Sequence, residues 1–313
     1  MDLTTHFLPE GRLLHTEENR RLCATAEGLS RAMETGTILE GTALLCDENH
    51  SLKVSVGPFT GYIPRQDTAL GIAEGTTRDI AILSRVGKPV SFTVEALEGE
   101  DGHLVPRLSR KRAQGRALAY FFSHWVPGQI VPATVTHLEP FGAFVDIGCG
   151  VPSMIGVERL SVSRIAHPAD RLQEGQEIFA AVLALDLQQG RVVLTHRELL
   201  GTWEENAALF RPGMTVPGYA RGIKDYGTFV ELTPNLSGLA ESKDGVKEGE
   251  RVSVYIKSIL PDRMKLKLLI IDTLPPLEGP EPLHYFLTEG ILDRWQYAPE
   301  GCRKSGGETV FKE

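Results

Sequence analysis

No stretch of about eighteen consecutive apolar residues occurs in this chain of 313 residues, so no membrane-spanning helix is expected. Residues 1–10 carry acids at Asp2 and Glu10 and lack the basic-then-apolar order of a secretory leader. Cysteine is scarce: Cys23, Cys46, Cys149 and Cys302 stand far apart and form no CxxC pair. That excludes a disulfide framework and a zinc-finger pattern and makes a reducing cytoplasm the expected location. No phosphate-binding GxxxxGK[ST], nucleophile elbow, HExxH or clustered carboxylate motif occurs, so the reading is a non-enzyme with no cofactor and no metal. An excess of basic charge is also missing. The formal net charge is −8, which argues against a simple polyanion binder, because such binders use Lys and Arg to displace counterions.

What is present is an ordinary globular balance, 42% hydrophobic and 24% charged, in a chain long enough for two or three domains. The charge is uneven. Residues 36–118 hold 10 bases and 10 acids, 127–200 hold 5 and 8, 212–272 hold 9 and 8, and 273–313 hold 4 and 7. Polyanion binding by such a chain would have to be modest per domain, assisted by stacking and summed over several sites.

A repeat organises the sequence. Three segments open alike, Gly36-Thr37-Ile38-Leu39-Glu40-Gly41, Gly128-Gln129-Ile130-Val131-Pro132-Ala133 and Gly213-Met214-Thr215-Val216-Pro217-Gly218, and run on with the alternation of half-buried strands. About 13 residues after the second and third opening glycines come Phe141-Gly142-Ala143-Phe144-Val145-Asp146-Ile147 and Tyr226-Gly227-Thr228-Phe229-Val230-Glu231-Leu232. Each unit closes with a further strand pair. The spacing predicts a mainly β protein of three tandem five-stranded OB-fold barrels joined by short helices. The expected division is an N-terminal helical segment 1–35, a degenerate repeat 36–112, a linker helix 113–126, a second repeat 127–200, a linker 201–211, a third repeat 212–272 and a C-terminal appendage 273–313. One helix is expected over residues 16–34, with Thr16 and Asn19 near its cap, and another over 197–210. The appendage is expected to form a hairpin against the third barrel, and Ser305-Gly306-Gly307 a turn.

Alternation then assigns faces. Val145 and Ile147, like Val230 and Leu232, point into the barrel. Phe144 with Asp146, and Phe229 with Glu231, point out to solvent. A bulge at Gly142 and Gly227 would bring Phe141 beside Phe144 and Tyr226 beside Phe229, making two-ring platforms on which unpaired bases stack. The competing reading packs Phe141 and Tyr226 under a loop.

These strings, with Gly175-Gln176-Glu177 and Gly190-Arg191-Val192-Val193-Leu194-Thr195, resemble the S1 RNA-binding domain, the OB-fold repeat of bacterial ribosomal protein S1. The second copy resembles it along nearly its whole length, the third well, the first only in its frame; across residues 36–272 the chain is similar to a short, three-repeat form of that family. The resemblance implies single-stranded RNA or mRNA as partner. Its implied RNA-facing residues are Phe141, Phe144, Asp186 and Arg191 in the second copy and Tyr226, Phe229 and Lys265 in the third. Arg164, in the matching segment before the fourth strand, joins them; Arg221 and Lys224 are further candidates for phosphate contact because they flank Tyr226 on its loop edge. The chain departs from the pattern at the usual histidine after the third strand, replaced by Gly156 and Glu241, and at the position of Asp186, which becomes Leu260 or its neighbour. In the first copy the ring positions fall on His50 and Lys53, with Pro64 at the histidine site, so that copy is expected to have lost RNA contact and to be available for docking on a protein surface such as the small ribosomal subunit.

His137, His167 and His196 fit no ligand spacing and are read as surface histidines. For the basic string 107–112, phosphate contact and a solvated helix start both remain open. The functional expectation is S1-like binding of mRNA in translation. Its rivals are a protein–protein adaptor built of barrels and an accessory factor in RNA processing or degradation.

Overall fold

A computed structural model describes residues 7–100, 103–279, 281–302 and 307–312; the expected turn at Ser305-Gly306 lies outside them. Alternation is the organising feature. In β12 (Gly227–Thr233) Val230 is fully buried while Phe229 is exposed, and in β2 (Leu52–Val56) Leu52, Val54 and Val56 are buried around exposed Lys53. Strands patterned in this way bury one face at roughly 1.5–3 kcal/mol per large aliphatic side chain, and closing them into a barrel removes every sheet edge.

Three such barrels form, each of five strands. The first comprises β1 (Leu39–Cys46), β2, β3 (Phe59–Ile63), β4 (Pro89–Glu100) and β5 (His103–Ser109). The second comprises β6 (Ile130–Glu139), β7 (Gly142–Asp146), β8 (Pro152–Gly156), β9 (Glu177–Asp186) and β10 (Arg191–Thr195). The third comprises β11 (Thr215–Lys224), β12, β13 (Leu236–Ala240), β14 (Arg251–Leu260) and β15 (Lys265–Thr273). All three share one order, in which the third strand pairs in parallel with the fifth and the fourth closes on the first. The chain divides into two compact units, residues 1–125 with 132–134 and 146–152, and the remainder.

In the first unit the expected single N-terminal helix is two, α1 (Glu17–Cys23) and α2 (Ala26–Thr35), because Thr25 restarts the chain by accepting from the Gly28 N–H. Thr16 caps α1 as expected. Asn19 instead pairs with the backbone of β1, accepting from Glu40 N at 2.8 Å and donating to Glu40 O at 3.0 Å. Leu22 and Leu29 then join the first barrel's core around Leu39, Val54 and Phe92. A further single turn, α3 (Ile80–Leu83), lies between β3 and β4, and α4 (Arg110–His124) follows β5.

In the second unit the helix expected over 197–210 is interrupted. A 3₁₀ turn ends at Leu200, Gly201 takes a φ of +83°, and Thr202 with Glu205 forms a capping box that starts α5 (Trp203–Ala207). The C-terminal segment forms a ribbon of β16 (Arg294–Gln296) and β17 (Glu308–Val310), whose Trp295 enters the third barrel's hydrophobic cluster together with Tyr297 and Phe311. It reaches beyond the third barrel: Ile130 N donates to Gly290 O, and the Tyr285 hydroxyl meets His196 Nε2 at 2.9 Å on the second. Among the described residues no helix is long and apolar enough to cross a membrane.

Candidate nucleic-acid interface

The first ring of each pair sits in the turn just before its strand, so the strict alternation of the strand does not govern it. Phe141 is 56% exposed and Tyr226 68%, while Phe229, on the strand itself, is 38% exposed and Phe144 half-buried. Within each pair the rings are edge to face, Phe141–Phe144 at 6.0 Å and 87°, Tyr226–Phe229 at 6.2 Å and 89°. This is the preferred geometry of an aromatic pair, and it leaves the first ring open to solvent. Packing of Phe141 and Tyr226 under a loop does not occur. The bulge expected at Gly227 lies instead on the neighbouring strand, between Ala220 and Gly222. Gly227 serves a close approach: its φ is +146°, and a Cβ there would stand 2.4 Å from the Ala240 carbonyl oxygen. At Gly142 a Cβ would stand 2.5 Å from the Ile155 carbonyl oxygen.

Strand register extends each pair into a row. In the third barrel Phe229 lies opposite Leu239, Leu239 beside Lys267, and Lys267 opposite Ser258. In the second, Met154 lies beside Val193 and Val193 opposite Ala184, on the same strands of the same topology. Met154, Val193 and Leu239 are exposed apolar side chains, and Lys267 an exposed cation, that sequence reading did not single out. Their outward parity in β8, β10, β13 and β15 was the available signal. In the first barrel the row reads Leu45, Lys53, Tyr62, Arg107. Lys53 therefore occupies the register of Phe229. The Tyr62 hydroxyl donates to Glu98 and Arg107 pairs with Asp67. His50, in the left-handed region at φ +60°, is held by Asp79, which also takes Arg65.

The polar residues divide. Arg191 and Lys265 are exposed at the same hairpin end of their barrels, opposite Asp186 and Leu260 respectively. Asp186 accepts the Gln188 and Gln189 N–H groups at 3.0 Å each, so it shapes the turn that presents Arg191. Lys224, opposite Gly227, is exposed beside Tyr226, and Arg164 is exposed in the segment before β9. Arg221 does not share that edge: its nearly buried side chain ion-pairs with Asp170 at 3.3 Å and Glu231 at 3.4 Å and lies over the Tyr219 ring.

The carboxylates expected on the wet face are buried. Glu231 points out of its barrel but receives both Nη atoms of Arg171, at 2.7 and 2.8 Å. Asp146 accepts N–H groups from Glu10, Gly148 and Gly150. Its carboxyl is pushed up to about 7 by burial and by the charge of Glu10. Pointing out of a barrel is not the same as reaching water once other segments cover that face. The basic string is likewise committed to ion pairs: Arg110 is buried on Glu10, Lys111 meets Glu74 and Arg112 meets Glu95.

The histidines also separate. His196 is no surface histidine: it is buried between Leu160 O and the Tyr285 hydroxyl, and burial pushes it down to about 4. His167 caps a 3₁₀ turn by accepting from Ala169 N. His137 stands beside Phe144, with centroids 6.5 Å apart and ring planes at 27°. At the usual histidine position, Gly156 ends β8 and Glu241 is exposed, paired with Lys257 at 2.7 Å. Among the described residues no group of three or more potential metal ligands converges.

The second and third barrels are fastened together by more than the linker. Buried Asn235 accepts from Val162 N and donates to Arg197 O and Gly201 O, Ser163 meets Ser237 at 2.7 Å, and the Arg171–Glu231 pair spans the same junction. The two ring pairs are carried on one body.

Residues 126–197 match the S1 RNA binding domain. Over longer spans the chain is 30% identical to small ribosomal subunit protein bS1 of Leuconostoc lactis, covering 72% of this chain and 55% of that protein. It is 29% identical to the bS1 homolog of Bacillus subtilis, covering 77% and 65%. A solved multidomain protein with nucleic acid binding domains from Streptococcus pneumoniae aligns with 75% of this chain and 73% of its own at 15% identity and a TM-score of 0.25. The chain spans between about half and two thirds of the length of these two bS1 relatives. It carries an S1-type RNA-binding domain in its second barrel and resembles the bacterial small ribosomal subunit protein bS1.

Proposed function

We propose that this protein binds single-stranded RNA without catalysis, holding mRNA near the small ribosomal subunit in the cytoplasm. The observation that carries this reading is the recurrence of one arrangement on two barrels: an edge-to-face ring pair at the same register, continued by a row of exposed side chains. Bases stack on such rings with little regard to sequence. Arg164, Arg191, Lys224 and Lys265 supply phosphate contacts, and their small number makes the dependence of affinity on salt shallow. Because the two barrels form one body, RNA that engages both meets a fixed spacing, not two sites on a loose tether. Binding of a labelled unstructured oligonucleotide, followed by fluorescence anisotropy, tests the RNA reading; co-sedimentation with ribosomes in lysate tests the ribosomal one.

A second role falls to the first barrel. Its ring register holds Lys53, and its neighbouring surface exposes Leu44, Leu45, Ile80, Leu83 and Val86, with Gly87 N donating to Ala43 O beside them. Exposed apolar side chains favour a protein contact over a polyanion, which supports docking of the first repeat on the ribosome. Recovery of RNA by residues 1–118 as efficiently as by the full chain would contradict this assignment.

A further inference from the structure

His137 holds an unusual position on the second barrel's ring face. Its Nδ1 lies 2.8 Å from Glu174 Oε1 and its Nε2 lies 2.9 Å from Glu139 Oε1. An ionised carboxylate only accepts hydrogen bonds, so both contacts are hydrogen bonds only when each ring nitrogen carries a proton, that is, when the ring is an imidazolium. The side chain is nonetheless 57% exposed, flanked by the two carboxylates and the ring of Phe144. Three elements face it: β6 with Glu139, β7 with Phe144 and the turn before β9 with Glu174; the two carboxylates are the charged groups among them. At the matching position of the third barrel, five residues before the strand's first glycine, stands Gly222, and Lys224 takes the place of Glu139.

We propose that His137 is a third RNA-contacting ring of the second barrel, stacking beside Phe144 as an imidazolium, so that RNA binding by this barrel, and not by the third, depends on protonation. The inference rests on the RNA-binding reading above. With the proton in place, the local charge of the trio is one negative unit and a cationic ring face is offered to the base and its phosphate. When the proton leaves, one ring nitrogen turns a lone pair toward a carboxylate, that hydrogen bond is lost, and two negative charges remain beside the RNA. The hydrogen bonds from Glu139 and Glu174 raise the midpoint of His137 above the usual histidine range. RNA affinity is therefore higher below that raised midpoint and falls as pH rises through it.

The test uses the full chain and a labelled oligoadenylate at constant ionic strength, scanned from about pH 6 to about pH 9 to bracket an imidazole raised from its ordinary value. Affinity should fall about fivefold across the His137 midpoint, the effect of one nearby charge at the surface. His137→Gln should bind at the weaker level with a flat profile, and Glu139→Gln should move the fall to lower pH. The NMR midpoint of the His137 ring should rise when RNA is added. If wild type and His137→Gln share one pH profile while Phe144→Ala still weakens binding, the His137 assignment is overturned and the RNA reading stands. If no variant and no pH gives any binding, both fail.

Discussion

Arg171 and Glu231, 60 residues apart in sequence, form a two-pronged ion pair in which both side chains are buried and the Nη–Oε distances are 2.7 and 2.8 Å. The pair joins the segment before β9 of the second barrel to β12, the strand that carries Phe229. Removing one partner strands the other charge away from water. Glu231→Ala is expected to cost about 3–5 kcal/mol, whereas the apolar pair Arg171→Met with Glu231→Leu costs far less, because desolvation offsets most of what the intact pair contributes. Denaturant unfolding of both variants checks this. Equal losses in the two would show that the pair's charge is not what matters.

The two units should respond to acid in opposite directions. In the first, burial pushes Glu40 up to about 7, and Asp146 is raised likewise. A carboxyl raised on folding binds its proton more tightly in the folded chain, so its contribution is full below about pH 4 and lost as pH rises through about 7. In the second, His196 is pushed down to about 4. Its contribution, roughly 3 kcal/mol at the limit, is present above the ordinary histidine value and lost as pH falls toward 4. Limited proteolysis read by mass spectrometry at about pH 5 and about pH 8 should find the first unit better protected at the lower pH and the second at the higher. Protection that moves the same way in both units would refute the assignment.

Two glycines of opposite character test the backbone argument. Gly227→Ala meets both a positive φ and the Ala240 carbonyl and should destabilise the third barrel by about 3 kcal/mol or more. Gly115 lies inside α4 with open space around its Cβ position, so Gly115→Ala should stabilise by up to about 1 kcal/mol. Thermal unfolding of each decides; a neutral Gly227→Ala would mean that the approach to Ala240 relaxes freely.

The three barrels were readable because strand alternation and a repeated string are local signals. The outward parity of Phe144 and Phe229 followed from the same period of two. Glu231 marks the limit of the same rule: parity says which side of a strand a residue leaves, not whether Arg171, far along the chain, waits there. His137 is the surface histidine the sequence suggests, but its neighbours Glu174 and Phe144 come together only when β6, β7 and β9 close a barrel. His196 looked like a surface residue beside its strand until the C-terminal segment laid Tyr285 over it. Sequence proximity alone places Arg221 at the ring edge, whereas in the fold β11 shifts register between Ala220 and Gly222 and the side chain pairs with Glu231.

The most direct measurement is the affinity of the full chain for a labelled single-stranded RNA with and without Phe144→Ala combined with Phe229→Ala. Each stacking ring contributes roughly 1–3 kcal/mol, so the double variant should bind at least about thirtyfold more weakly while its unfolding curve stays close to that of the wild type. An unchanged affinity in a folded double variant would contradict the stacking interface.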